Sequence, residues 1–263
     1  MTRRIRRHKQ FELTLELKDE EFIRTPRDSQ RNWLLNRALK ELGDDLVSLD
    51  ARAGAFVQGG EPIAMSDRRQ AKLQEQEIME DWQIPIMQKM VDQLPSPGKD
   101  ILEVGFGRGI SSTMLQEKAP KSHAIIECNT HVVSAFESWA SAYPDSAITL
   151  IEGMWQNVVD QLAEYDGIFF HTYPLDDQEY VEQVAGSVTF AGNFFSVAAD
   201  HLRSGGVFTY LTNEADSLSR AHQRLLLKHF SSFSLRKVRG LQIPHQSRDA
   251  HWSDEMVVVA AVK

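Results

Sequence analysis

"ILEVGFGRG", residues 101–109, is the stretch on which the reading of this sequence turns. A run of apolar strand formers carries one acid, Glu103, and then gives way to glycines at 105, 107 and 109. The "ISSTMLQEKA" that follows has the apolar spacing of a helix. A strand that passes through glycines into a helix lets the backbone approach a ligand closely, and glycine accepts the positive φ that such a turn needs. The next apolar run, "HAIIECN", reaches a second acid at Glu127, placed to accept both hydroxyls of a ribose.

Outward from this turn, the same alternation continues. "AITLIEG" is followed by the helical "NVVDQLAEY", and "GIFFHTYP" by a long helical stretch reaching "VAADHLRSGG". "GVFTYLT" precedes the helical "SLSRAHQRLLLKHF", and strands near "FSLRKVRGLQI" and "EMVVVAAVK" come last. Continuous apolar strands separated by helices predict a parallel sheet covered on both faces, an α/β architecture. The last two strands have only the loop "PHQSRDAHWSD" between them and read as an antiparallel hairpin, so seven strands with a reversed end are expected.

Residues 1–94 have a different texture and read as a helical extension, divided by the linker "PSPGKD" from a domain over 95–263. "FELTLEL" shows only a weak period of two. Apolar residues from Trp33 to Leu49 form a helical stripe with Ser29 or Asp28 as cap, and residues 66–94 form a second helical segment interrupted at Pro85. The stripe suits either a cover for the site or a homodimer surface. The opening "MTRRIRRHK" is basic but no apolar segment follows it, so a solvated arm is expected rather than a secretory signal. A net charge of -8 argues against nucleic acid as the main partner. No apolar run approaches the ~20 residues that span a bilayer. The single cysteine, Cys128, excludes an internal disulfide framework, and a cytoplasmic protein without a membrane partner is expected. No H-x-x-x-H or H-E-x-x-H grouping falls on a predicted helix, so no metal site is expected.

The cofactor follows from details of the turn. The spacing is G-x-G-x-G rather than G-x-G-x-x-G, an acid sits inside the first strand, and a terminal hairpin is expected. Together these favour S-adenosylmethionine over a dinucleotide, since no pyrophosphate has to be seated on the helix. The candidate cofactor residues are Glu103, Gly105, Phe106, Gly107, Gly109 and Glu127, with Gly153, Met154 and Trp155 of "EGMW" placed to flank an adenine. Met154 and Trp155 are equally read as core.

"MEDWQIPIM" (79–87), "ILEVGFGRGIS" (101–111), "IIECN" (125–129) and "HTYPL" (171–175) together resemble the guanidinoacetate methyltransferase family, over roughly residues 75–263. The resemblance implies a class I methyltransferase whose N-terminal segment closes over the site as a lid. It also implies cofactor contacts at Met87, Gly105, Glu127, Cys128, Met154 and Trp155. The family holds its guanidinium substrate with two carboxylates, one in W-E-x-P and one opening D-T-Y-P. Here those positions are Gln83 and His171. Losing two charge-assisted contacts of ~1.5–3 kcal/mol each makes guanidinoacetate a poor substrate. A histidine at this tip suits an acceptor that is neutral: an amine, an amide-like nitrogen, or an activated carbon of an indole or pyrroloindole metabolite. His171 and Tyr173 are the candidate catalytic residues, and Trp82, Gln83, His171, Thr172 and Tyr173 the candidate acceptor contacts. Trp33, Phe170 and Trp252 are further aromatic residues for such a pocket, and His245 and His251 are placed to reach its mouth. Two other readings stay open. One is a guanidino or arginine methyltransferase in which Glu80, Asp81 or Asp176 replaces the lost acids. The other is a cofactor-binding module without catalysis.

Overall fold

The strands that the sequence marks as apolar lie side by side, and β3 (Asp100–Val104), β6 (Tyr165–Phe170) and β9 (Glu255–Val262) are buried along nearly all their length. The computed structural model describes residues 2–8, 11–16, 75–175, 189–215, 217–244 and 254–263. Seven strands form one sheet: β3 (Asp100–Val104), β4 (Ser122–Glu127), β5 (Ile148–Glu152), β6 (Tyr165–Phe170), β7 (Leu202–Thr212), β8 (Ser232–Arg239) and β9 (Glu255–Val262). Their order is β5-β4-β3-β6-β7-β9-β8. The pairs from β5 to β7 are parallel, and β9 runs antiparallel to both β7 and β8. The reversed end expected from the missing crossover helix is therefore present, with β9 inserted between β7 and β8.

Alternation along β6 assigns the two faces. Ile168 and Phe170 join Leu102, Val104, Phe208, Tyr210 and Val158 of α5 (Trp155–Val158) in a core roofed by α6 (Phe195–His201) and α7 (Arg220–His229). Phe169 points the other way, into a second core with Met87, Met90 and Val91 of α2 (Ile84–Val91) and Leu115 of α3 (Ile110–Glu117). A third cluster joins Phe106 and Ile125 to Val132 and Phe136 of α4 (Thr130–Ala140), whose cap Asn129 accepts from the His131 and Val132 amides. By the same alternation, His171 continues the Phe169 side of the sheet.

The segment before the linker is part of this packing. α1 (Glu75–Ile78), a 3-10 turn over Asp81–Gln83 and α2 replace the single interrupted helix of the sequence reading. The break falls before Pro85, which opens α2 at its first turn, where its missing N–H costs nothing. Lys118 Nζ closes the far end of α2, bonding the Val91 carbonyl at 2.7 Å. Met79, Trp82 and Leu94 are buried with α2 against the sheet, so this part of the extension shares the core of the domain that follows it.

At the N-terminus the structure corrects the helical expectation. β1 (Thr2–His8) and β2 (Phe11–Glu16) form a two-stranded antiparallel ribbon. The weak alternation of "FELTLEL" was the strand signal. The helical stripe over Trp33–Leu49 lies outside the described residues, as do Asp176, His245, His251 and Trp252.

Candidate active site

A parallel sheet leaves its binding crevice at the carboxyl ends of the strands, where the chain turns away in opposite directions. Here β3 and its neighbours β4 and β6 end beside an open cleft of ≈ 360 Å³, part of it open to solvent. Gly105, Glu127, Cys128, Gly153, Met154, Trp155, Thr172 and Tyr173 all line it, from four different strand ends. These eight sequence candidates are brought together by the topology, since they come from separate parts of the chain.

The glycine turn is built to pass close to its neighbour strand. Gly105 has φ +94°, and a Cβ there would stand 2.5 Å from the His171 carbonyl oxygen. The His171 amide in turn donates to the Val104 carbonyl, at 3.1 Å. Glu127 closes the other side. Its Oε2 accepts from the Phe106 and Gly107 amides at 3.1 and 3.3 Å, and its Oε1 from Cys128 and Asn129 at 2.8 and 2.9 Å. The carboxylate is thus held in one orientation at the cleft wall. At Gly153, φ is +143° and a Cβ would lie 2.9 Å from a Val158 methyl, so the wall there admits no side chain.

Some candidates are placed elsewhere. Glu103 is fully buried beneath the turn. Its oxygens accept from Ser111 Oγ at 2.5 Å and Ser112 Oγ at 2.6 Å, both in the first turn of α3. His123 Nε2 lies 3.0 Å from Glu103 Oε2, near enough for an ion pair but off the line of a hydrogen bond. A carboxylate at a helix N-terminus is favoured there by the helix dipole, so Glu103 anchors the strand–helix junction. Phe106 and Met87 are buried in apolar clusters, and only the Phe106 backbone turns toward Glu127. Gly107 and Gly109 shape the turn at φ +56° and +71° without lining the cleft. Trp155 both lines the cleft and packs edge-on against Phe194, with ring centroids 5.1 Å apart. Leu175, Gln156 and Phe190 also line the cleft and carried no sequence signal beyond being apolar or polar near a strand end.

Of the expected acceptor contacts, Thr172 and Tyr173 line the cleft whereas Trp82, Gln83 and His171 do not, and His171 Nε2 and the Tyr173 hydroxyl are 2.9 Å apart. One ring nitrogen is thereby engaged by a group that can donate or accept. Gln83 is 5 % exposed, and among the described residues none donates a hydrogen bond to its amide oxygen. Beside it, the Trp82 indole N–H donates to Glu80 Oε2 at 2.6 Å. Among the described residues no group of three or more His, Cys, Asp or Glu side chains is arranged to hold a metal ion.

A seven-stranded sheet with this order and reversed end, a glycine turn after β3 and an acid at the tip of β4 define a class I S-adenosylmethionine-dependent methyltransferase. Residues 63–236 match the guanidinoacetate N-methyltransferase family, and the chain belongs to that family. Among curated relatives, it is 30% identical to protein arginine N-methyltransferase 2 of Emericella nidulans over 200 residues, 66% of this chain and 46% of that protein. It is 34% identical to the Neurospora crassa protein of the same name over 155 residues, 50% of this chain and 36% of that one. The chain thus spans less than half the length of these two relatives. A spermidine synthase solved with the transition-state analogue AdoDATO shares the fold, with a TM-score of 0.50 and 16% identity over 70% of this chain and 61% of that one.

The cleft fits the cofactor of this class. Its glycines leave the backbone bare where side chains would intrude, and a fixed carboxylate and apolar residues meet a ribose and an adenine on chemical grounds.

Proposed function

We propose that this chain methylates a small-molecule acceptor that is neutral, at a nitrogen or an activated carbon, and that His171 orients or deprotonates that acceptor. The observation that carries the proposal is the pair Gln83 and His171, an amide and an imidazole at the two positions where the family resemblance expects carboxylates. Gln83 is buried, and among the described residues none donates to its amide oxygen, an acceptor that costs about 1–3 kcal/mol if left unpaired. An imidazole, unlike a carboxylate, can be neutral at physiological pH and take up a proton.

The chemistry divides simply. S-adenosylmethionine supplies a methyl carbon on a sulfonium, which an acceptor lone pair displaces in line. The protein's residues supply position and proton transfer. Glu127, Gly153, Met154 and Trp155 hold the cofactor. Gln83 and Trp82 bound the acceptor, and Tyr173 holds the His171 ring while that ring receives the acceptor's proton. Indole and pyrroloindole metabolites have the required neutral character. On this reading the protein works in the cytoplasm, and the part of residues 1–94 that precedes the buried Met79 acts as a lid over the domain of residues 95–263 or pairs two copies of it. The absence of any helix long and apolar enough to cross a membrane, among the described residues, is compatible with that.

The names of the fungal relatives favour a second reading, transfer to an arginine or other guanidino group. It needs replacement carboxylates. Glu80 is engaged by Trp82 and Asp81 by Arg108, which weighs against both as substitutes.

A panel of amines, indoles, guanidinoacetate and arginine peptides, assayed with labelled cofactor, separates the readings. Transfer to amines or indoles, with a loss of about 100-fold or more in kcat for His171→Ala, is the expected result. Efficient transfer to guanidinoacetate or arginine by the unaltered chain overturns it. Cofactor binding with no transfer to any acceptor points instead to the non-catalytic module.

A further inference from the structure

The glycine turn carries a cation, Arg108, that the cleft itself does not use. Its guanidinium reaches the segment before α2. Nη1 is 2.6 Å from Asp81 Oδ1 and 3.4 Å from the Met79 carbonyl oxygen, and Nη2 is 3.4 Å from Glu75 Oε2. The neighbouring Gly107 lies against the same segment, since a Cβ there would meet an Ile78 methyl at 3.7 Å. Asp81 opens the 3-10 turn that continues into the buried Trp82 and Gln83. On its other side the glycine turn is tied to Glu127 through the Phe106 and Gly107 amides. Arg108 therefore stands between the cofactor wall and the short turn that presents Gln83.

We propose that Arg108 is a positioning residue that couples occupancy of the cofactor cleft to the ordering of residues 75–83, so that S-adenosylmethionine prepares the acceptor side. The meaning of this coupling for acceptor choice rests on Gln83 facing the acceptor, but the coupling itself does not. The Asp81 and Glu75 side chains are about three-quarters exposed, at 76% and 75%, while that of Arg108 is 25% exposed. Such pairs contribute little when both partners must be immobilised to meet. They contribute more once one side is already held, because less conformational freedom remains to be lost. A ligand that fixes the glycine turn thus strengthens the clamp, and by reciprocity the clamp strengthens ligand binding.

The test is amide hydrogen exchange on the full chain with and without S-adenosylhomocysteine. The Met79 amide donates to the Glu75 carbonyl and the Gln83 amide to the Glu80 carbonyl, so both report the order of this segment. In the unaltered chain the ligand slows exchange across 75–83. In Arg108→Met, calorimetry still shows binding, but that added protection falls by about fivefold or more. Arg108→Lys recovers part of it. Asp81→Asn loses part of the added protection, and the double variant is no worse than Arg108→Met. Equal added protection in Arg108→Met and the unaltered chain, or none in the unaltered chain, overturns the proposal. If Gln83→Glu leaves acceptor choice unchanged while the exchange coupling persists, the acceptor role of Gln83 falls and the coupling stands.

Discussion

Gly105 serves two purposes, of which the sequence shows one. Its place in the glycine turn signals close approach to a ligand. The structure adds a close approach to the chain itself, because the His171 carbonyl occupies the space of a Cβ. Gly105→Ala is therefore expected to destabilise the fold by about 1–3 kcal/mol through backbone strain and to displace His171. A lower urea midpoint together with weaker binding of S-adenosylhomocysteine checks this, whereas unchanged binding would contradict it. Glu103 is the converse case. The sequence marks an acid near the cofactor, and only the fold shows it facing Ser111, Ser112 and His123 beneath the turn. Glu103→Ala leaves the buried Ser111 and Ser112 hydroxyls without their acceptor and should cost about 1–3 kcal/mol for each in equilibrium unfolding. Glu103→Gln, which keeps one hydrogen-bonding oxygen, should cost less.

At the scale of elements, α2 shows how an apparent appendage becomes core. Ile86, Met87, Met90 and Val91 form one apolar stripe, and Ile86 and Met90 are fully buried. The linker "PSPGKD" suggests a division, yet the stripe is buried against Phe169, Met256 and Val258 of the sheet and Leu115 of α3. Met90→Ala should lower unfolding free energy by about 2–5 kcal/mol, the range for a large side chain removed from a packed core. A cost under ~0.5 kcal/mol would mean that α2 packs loosely on the sheet. α7 is held by a polar pin: Tyr210 and His222 Nε2 are 2.6 Å apart, and His222 Nδ1 and Glu214 Oε2 are 2.6 Å apart. Burial, with the nearby Glu214 charge, raises the Tyr210 hydroxyl well above its ordinary pKa. No periodicity in the sequence announces this pin, because its members lie in a strand, a loop and a helix.

At the scale of the whole molecule, a network of charges ties three strands together at the amino-terminal edge of the parallel sheet. Asp100 on β3 accepts from Ser122 of β4 at 2.7 Å. Arg203 of β7 lies 2.9 Å from both Asp100 and Asp166 of β6. Hydrogen bonds from Ser122 and then from Arg203 and Lys121, opposed by burial, hold the Asp100 carboxyl below the ordinary aspartate value. A carboxylate lowered in the folded state stabilises above its unfolded pKa, about 3.9, and loses that contribution as pH falls through its lowered folded value. Asp100→Asn should therefore lower the melting temperature at pH 6, and the gap to the unaltered chain should narrow as pH falls below about 4. A gap independent of pH would show that the charge of Asp100 contributes nothing. The sequence by itself determined the alternating architecture, the reversed end, the glycine turn and the family. Each of these is written in contiguous residues whose periodicity or backbone freedom is local. Tertiary structure alone decided that Glu103 turns away from the cleft while Glu127 lines it, that α2 belongs to the core, and that Arg108 bridges the glycine turn to Asp81 and Glu75. Those outcomes depend on which side chains meet across long stretches of chain, and the burial and charge that decide them arise only when the sheet assembles.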